Sequence, residues 1–569
     1  MYRAIVGVSF SLLILFAPDR TARAPGVAVC HDADLLLRNG KIVTMDAQDR
    51  VAQAFAVRAG KIVAVGSNAE LASCVGASTI VVDLQGKSVL PGLIDTHTHA
   101  LKWAEGVVRG EVDVNYPLVK SVKDVVAKVA ERVAKAGPDQ WVTGAGWDDA
   151  KFTEKRYITR QDLDAVAPRN PVELVHVSGH LIVANSAALA AAAITRDTRD
   201  PSGGVIEHDE KGEPTGILKD NAQDLVYRVV PRDPPDLVVR AAREVSERAL
   251  AVGLTTIHDI RVEPFEQSGY QRAHERGWLK VRVQMVPEMK NLADAEQLAR
   301  AGLHTGFGDD MLKLGAVKFF ADGGMGARTI AIYPPGPEGE PSNTGLLIWK
   351  TEDLQKAHRI LAAAGWQLVT HAIGDRAMDQ VLDSYAATMA DLHLTDARFR
   401  IAHGGLSTPA VQKRLHDLNV IVDGNPAFVY WIGSWFRKYG PQRVRWAYPG
   451  KSYLDNGVFV GAGSDVSVTP ISPWWGIWAA VERRELLSGE VLAPEERLTV
   501  KQALRMYTRN NAYTGFEEHQ KGSLEAGKFA DFIVIDRDVL TVPTNELKDV
   551  QVLETYVGGV RVFSKAASR

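Results

Sequence analysis

Five short apolar runs in this chain close on a polar residue of ligand type: His97 and His99 in SVLPGLIDTHTH, Lys318 in LGAVKFFADGG, His371 in QLVTHAIGD, His403 in RFRIAHGG, and Asp465 in FVGAGSD. Each run is aliphatic or β-branched, of strand length, and most have glycine beside the polar residue. Runs of this kind are strands buried on both faces, as parallel sheets require, and here their carboxyl ends converge on one polar site. Side chains at i and i+2 leave a strand on the same face, so the imidazoles of His97 and His99 can reach one metal ion. Alone, His-x-His is as readily two polar residues in a turn. Four further strand ends, in an order that closes a site, favour the metal.

Eight strands can be counted between residues 91 and 515: the His-Thr-His run, TTIHDI (255–260), KVRVQMV (280–286), AVKFFADG, QLVTHAIG, RFRIAHG, NVIVDGN (419–425) and VFVGAGSD. Helical patterns such as VVRAAREVSERALAVG and TEDLQKAHRILAAAG separate several of them. The expected class is α/β, a (β/α)8 TIM barrel of the metal-dependent hydrolase kind. One connection is anomalous: between the first and second strands lies far more chain than a βα turn uses. That stretch carries its own helices, strands and a glycine-rich segment, and reads as an inserted cap subdomain over about 105–235. Short alternating runs with turn dipeptides fill residues 33–90 and return over 516–569, which predicts one small β-sandwich built from both termini.

At 569 residues the chain exceeds a usual single core, consistent with a large domain and a smaller one. A formal net charge of -3 gives no electrostatic footprint for nucleic acid. The opening MYRAIVGVSFSLLILFAP sets Arg3 before an apolar run, and TARA offers small residues at Ala22 and Ala24. A cleavable signal peptide over 1–24 and a periplasmic or secreted protein are expected, with an uncleaved anchor as the alternative and no membrane span after cleavage. Two cysteines, Cys30 and Cys74, exclude a disulfide framework and a cysteine zinc site and leave one bridge open.

The strings PGLIDTHTH, VKFFADGGMGART, THAIGDRA, GSD, LTVKQALRMYTRNNA and GSLEAGKFADFIVID are the most specific pieces of the chain. Through them it resembles the amidohydrolase superfamily, and within it amidohydrolase family 3, the N-substituted formamide deformylase-like branch, from about residue 33 onward. The resemblance implies Zn2+, with other divalent metals as alternatives, in a pair bridged by a carbamylated Lys318. His97, His99 and Asp465 would then hold the buried ion, and His371 and His403 the outer one. It also implies attack by a metal-activated hydroxide, with Asp465 as both ligand and general acid/base. Carbamylation needs a neutral amine, hence a lowered lysine pKa. The competing reading pairs Lys318 with Asp322 or another acid, unmodified. His180 in VSGHLIVANS and Arg328 in GMGART match positions that recur in the family and are candidate substrate-binding residues, each with a structural alternative.

The chain departs from its relatives around the substrate. Strand six reads IAHGG rather than Ile-Glu-His, strand eight lacks Trp-Pro after Asp465, and strand seven reads IVDGNPAF rather than Met-Gln-Pro. The expected activity is hydrolysis of a linear amide, formamide or carbamate C–N bond in a small molecule. Ester or lactone hydrolysis on the same site and a non-catalytic metal-binding or regulatory role are the competing functions. Barrel hydrolases of this kind are often dimers, so a homodimer is the expected assembly where there is one.

Overall fold

Each of the eight runs folds as a strand buried along nearly its whole length: β1 (Leu93–Thr98), β2 (Leu254–Ile260), β3 (Arg282–Val286), β4 (Val317–Phe320), β5 (Leu368–Ala372), β6 (Arg400–His403), β7 (Ile421–Gly424) and β8 (Val460–Ala462). This computed structural model describes residues 30–566, so the signal-peptide reading of residues 1–24 lies outside the described residues. Pairing between neighbours is parallel throughout. Near-continuous apolar sequence follows from that arrangement, because helices cover one face and the opposite strands the other.

The pairing differs from a single continuous ring. Two ladders form: β1, β2 and β3 continue into a short strand Leu312–Leu314, and β4 to β8 make a separate five-stranded sheet. The chain breaks between Leu314 and Val317, and the ladders meet where Lys318 N donates to Pro287 O and Met289 N to Lys318 O, both at 2.8 Å. At the other edge β8 and β1 share no ladder. There the Asp465 N–H donates to His97 O at 2.7 Å, Ser464 N to Asp95 Oδ2 at 3.0 Å, and Thr96 Oγ1 to Ala462 O at 3.3 Å. The physical reason is visible at Asp465, whose φ of 54° turns the chain out of strand geometry as soon as it reaches the site. Beneath the strand ends, a buried Arg400–Asp423 ion pair ties β6 to β7, and Arg400 Nη2 reaches Thr96 O of β1 at 2.7 Å.

Helix α1 (Ala100–Arg109) follows β1 directly and packs on α2 (Pro235–Ala251), which leads into β2. Pro235 opens α2 where its missing N–H costs nothing, and Arg243–Glu247 and Glu244–Arg248 pairs one turn apart line its outer face. Between α1 and α2 lies a six-stranded sheet running from Val112 to Asp220, with its own apolar core around Trp147, Leu174 and Val183. Tyr157 OH of this insertion donates to Gly326 O, which holds it over the loop after β4.

The two ends of the chain meet in a pair of sheets. Lys61–Gly66, Ala54–Arg58, Leu35–Arg38 and Ile80–Asp83 form one; the other contains Phe532–Ile535, Val552–Val557 and Val560–Ser564 beside Ser88–Pro91 and Lys41–Val43. Phe55 meets Phe532 edge-on at 4.9 Å between them, so N- and C-terminal segments share one core. Cys30 and Cys74 are buried together in a smaller cluster of the first sheet as free thiols. No helix among the described residues is long and apolar enough to cross a membrane.

Candidate metal centre

All six strand-end residues come together. His97 Nε2 lies 3.7 Å from Asp465 Oδ1, and His99 Nε2 lies 3.1 Å from the same oxygen. The His97 and His403 rings are 4.6 Å apart, and those of His403 and His371 are 4.5 Å apart. Lys318 Nζ is 3.4 Å from His97 Nε2. The turn GAGSD permits this closeness, since a Cβ at Gly463 would stand 2.5 Å from His97 Cβ. His403 has φ 73° and Asp465 φ 54°, so both strands abandon extended geometry at the polar residue itself. Left-handed conformations at non-glycine residues cost about 1–3 kcal/mol each and persist where the surroundings over-determine them.

The hydrogen bonds decide which ring nitrogens face inward. His99 Nδ1–H donates to Ile260 O at 2.9 Å, and His403 Nδ1–H to Asn425 Oδ1 at 2.7 Å, so each turns a bare Nε2 to the centre. Asn425 is itself oriented, because its Nδ2 donates to Gly463 O. His371 is reversed: Nε2–H donates to Gly323 O at 3.1 Å, and Nδ1 is buried with no hydrogen-bond partner. Three imidazoles thus carry one committed nitrogen and one free lone pair, which is how a metal-binding histidine is held. Burial drives His97 and His371 well below the ordinary histidine pKa and His403 down to about 3, so the rings stay neutral. The donor set fits a divalent cation of zinc type.

Two charged groups complete it. Burial pushes the Asp465 carboxyl up, but the neighbouring His99, His403 and Lys318 more than offset this and hold it below the usual range. For Lys318, burial dominates and lowers the amine to about 7, against the opposing pull of Asp465, Asp423 and Glu288. No carboxylate pairs with it among the described residues. Asp322, the alternative partner, accepts instead from the backbone N–H groups of Ala331, Ile373 and Gly374.

The sequence profile of the amidohydrolase family matches residues 80–563, most of the chain. The chain belongs to that family. It is 31% identical over 544 residues to an N-substituted formamide deformylase from Arthrobacter pascens, covering 94% of this chain and 99% of that one. Among solved structures, an uncharacterised metal-dependent hydrolase from Pyrococcus horikoshii superposes with a TM-score of 0.71 at 26% identity, covering 90% of this chain and 99% of the other. An adenosine deaminase from Xanthomonas campestris with bound zinc shares the fold at a TM-score of 0.53 and 13% identity, over 94% and 93% of the two chains. This amidohydrolase is a metal-dependent hydrolase of that family.

The two further candidates of the amidohydrolase separate. His180, from the inserted sheet, lies beside the centre with its ring 4.9 Å from that of His371. Arg328 does not turn to the centre: it donates to Glu340 Oε1 at 2.5 Å and lies over the Tyr157 ring. It ties the loop after β4 to its own far end. His258 is buried with its ring between Arg400 and Gly515. Asn425 and Gly323, which orient His403 and His371, are not singled out by any sequence pattern. The one available signal was the departure of strand seven at GNP.

Proposed function

We propose that this amidohydrolase cleaves a linear amide, formamide or carbamate C–N bond of a small molecule at a zinc pair held by His97, His99, Lys318, His371, His403 and Asp465. The observation that carries the reading is the set of inward lone pairs of His99, His371 and His403 around a buried Lys318 that has no acid to pair with. His97, His99 and Asp465 would hold one ion, and His371 and His403 the other. Lys318 as the free amine would attack carbon dioxide, form an N–C bond and lose a proton, and the resulting carbamate would lie between the two ions. When bound, such cations supply Lewis acidity, making water acidic near neutral pH and polarising a carbonyl oxygen.

The chain's own residues would do the rest. Asp465 takes a proton from the attacking water and returns it to the leaving nitrogen, a task that its ionised state and its place among the ligand histidines support. The loop Gly323–Thr329 and the inserted sheet cover the site and limit access of bulk water. A (β/α)8 barrel over 91–515, a cap over about 105–235 and a two-ended β-sandwich over 33–90 and 516–569 are the matching domain assignments. Export to the periplasm or medium is proposed on the N-terminal sequence alone.

Elemental analysis of protein purified with bicarbonate and without chelator tests the centre. Two zinc ions per chain are expected, falling to one or none in Lys318→Ala. Two ions retained in Lys318→Ala would refute the bridge. Hydrolysis rates on matched amide and ester pairs test the bond; faster turnover of the ester throughout would replace the amide reading by the ester one.

A further inference from the structure

His180 reaches the site from the inserted sheet, and its orientation is imposed by one residue. Asp220 Oδ1 accepts from His180 Nδ1 at 2.8 Å, and the backbone N–H of Asp220 donates to His180 O at 2.8 Å. The two residues are neighbours across an antiparallel pair, since Leu181 opposes Lys219. Asp220 has φ 49° and ψ -127°, a conformation that only glycine adopts freely, at the last position of its strand. Its side chain is fully buried, and Oδ2 has no hydrogen-bond partner among the described residues. Among the described residues the one hydrogen bond of this carboxylate is therefore to His180.

The loop after β4 is shaped around the same pair. A Cβ at Gly323 would stand 2.7 Å from both Asp220 oxygens, and one at Gly324 would stand 2.7 Å from His180 Cγ. Gly323 also presents its carbonyl to His371 Nε2, so one loop touches a candidate ligand, the histidine and the carboxylate. A carboxylate only accepts, so Nδ1 carries the proton, and the neutral ring then has a bare lone pair on Nε2. That nitrogen makes no hydrogen bond to the described residues, and His180 lines a pocket with Phe320, Arg261 and Glu288.

We propose that Asp220 is a positioning residue that fixes His180 with its proton on Nδ1, so that Nε2 accepts the N–H of the substrate. The substrate class is thereby narrowed to secondary, N-monosubstituted amides, formamides and carbamates, with N,N-disubstituted analogues disfavoured. This rests on the amide reading above for its substrate, and on hydrogen-bond geometry alone for its tautomer.

The test joins two measurements. In 15N-histidine-labelled protein, with His180 assigned through His180→Asn, the parent shows the proton on Nδ1 and a bare Nε2. An Asn at position 220 has the same shape but can donate to Nδ1, which moves the ring proton to Nε2, the fault that Asp→Asn produces in a serine protease triad. On an amide pair differing only by N-methylation, the parent prefers the N–H substrate about tenfold or more in kcat/KM. Asp220→Asn and His180→Phe lose that preference while metal content per chain stays at the parent's value. Gly324→Ala, which presses on the ring and leaves the carboxylate intact, loses it too. An undiminished preference in Asp220→Asn, or equal rates on the two amides in the parent, overturns the proposal. If the parent cleaves no amide, the functional reading has failed, and the label alone decides: a proton on Nε2 of His180 in the parent overturns the dyad.

Discussion

Two buried groups among the described residues have the residue types of a metal site, and only one has its lone pairs turned inward. His97, His403 and Asp465 bring ligand atoms within 4.8 Å of one another, and so do Asp148, Asp149 and His176 of the inserted sheet. In the first, every oriented ring gives its proton to a carbonyl or amide oxygen outside the cluster and turns a lone pair inward. In the second, the Ser178 backbone N–H donates to His176 Nδ1, so Nε2 carries the proton and faces Asp149 at 3.4 Å. Lys151 already places an ammonium 3.1 Å from Asp148 Oδ2. Burial raises the Asp149 carboxyl, but His176, Lys438 and Arg328 more than offset it. The second group is a neutralised ion-pair cluster. Ligand types in proximity therefore do not define a metal centre; the direction of the lone pairs does.

The largest expected effect separates the two groups outright. Asp465→Asn should lose zinc and lower turnover on the order of 10³-fold, because several kcal/mol of transition-state stabilisation go with the ion. Asp149→Asn should leave zinc per chain unchanged. Elemental analysis of the two variants side by side is sufficient, and loss of metal from Asp149→Asn would erase the distinction.

A finer contrast concerns the residues that orient the rings. Asn425→Ala removes the acceptor for His403 Nδ1–H and should weaken zinc binding about 10- to 100-fold, read by competition with a chelator of known affinity. Ser178→Ala, beside His176, should not move it. An unchanged zinc affinity in Asn425→Ala would show that the His403 ring is held by packing on Phe428 instead.

That contrast also marks what could be read from the chain alone. The six strand-end residues were legible because a buried parallel strand is written locally, as an apolar run that stops at a polar residue. Asn425 and Gly323 O were not, since their roles depend on which strand ends lie side by side, a long-range fact with no local spelling. The two separate ladders escaped for the same reason: strand four is legible as AVKFFADG alone, and only the fold shows Leu312–Leu314 before it as a strand pairing with a different neighbour. The left-handed turns at His403 and Asp465 also run against local preference and are imposed by the site.

A third buried acid sharpens the comparison from the side of stability. Asp465 and Asp149 are held low by neighbouring cations, whereas Glu173 of the inserted sheet has no ion pair among the described residues and a buried Oε1 without a partner. Burial, with Glu111 adding to it, pushes its carboxyl up to about 8. A raised folded-state pKa means that the folded protein keeps a proton which the unfolded chain releases near 4.5. The stabilisation is full below that value and is lost as pH rises toward 8. Glu173→Gln keeps a neutral side chain at every pH, so it should match the parent near pH 5 and exceed its stability at pH 8 by on the order of 3 kcal/mol. Denaturant unfolding at the two pH values reads the difference. A variant that is no more stable than the parent at pH 8 would mean that Glu173 finds a compensating cation or water when it ionises, and would place it with Asp149.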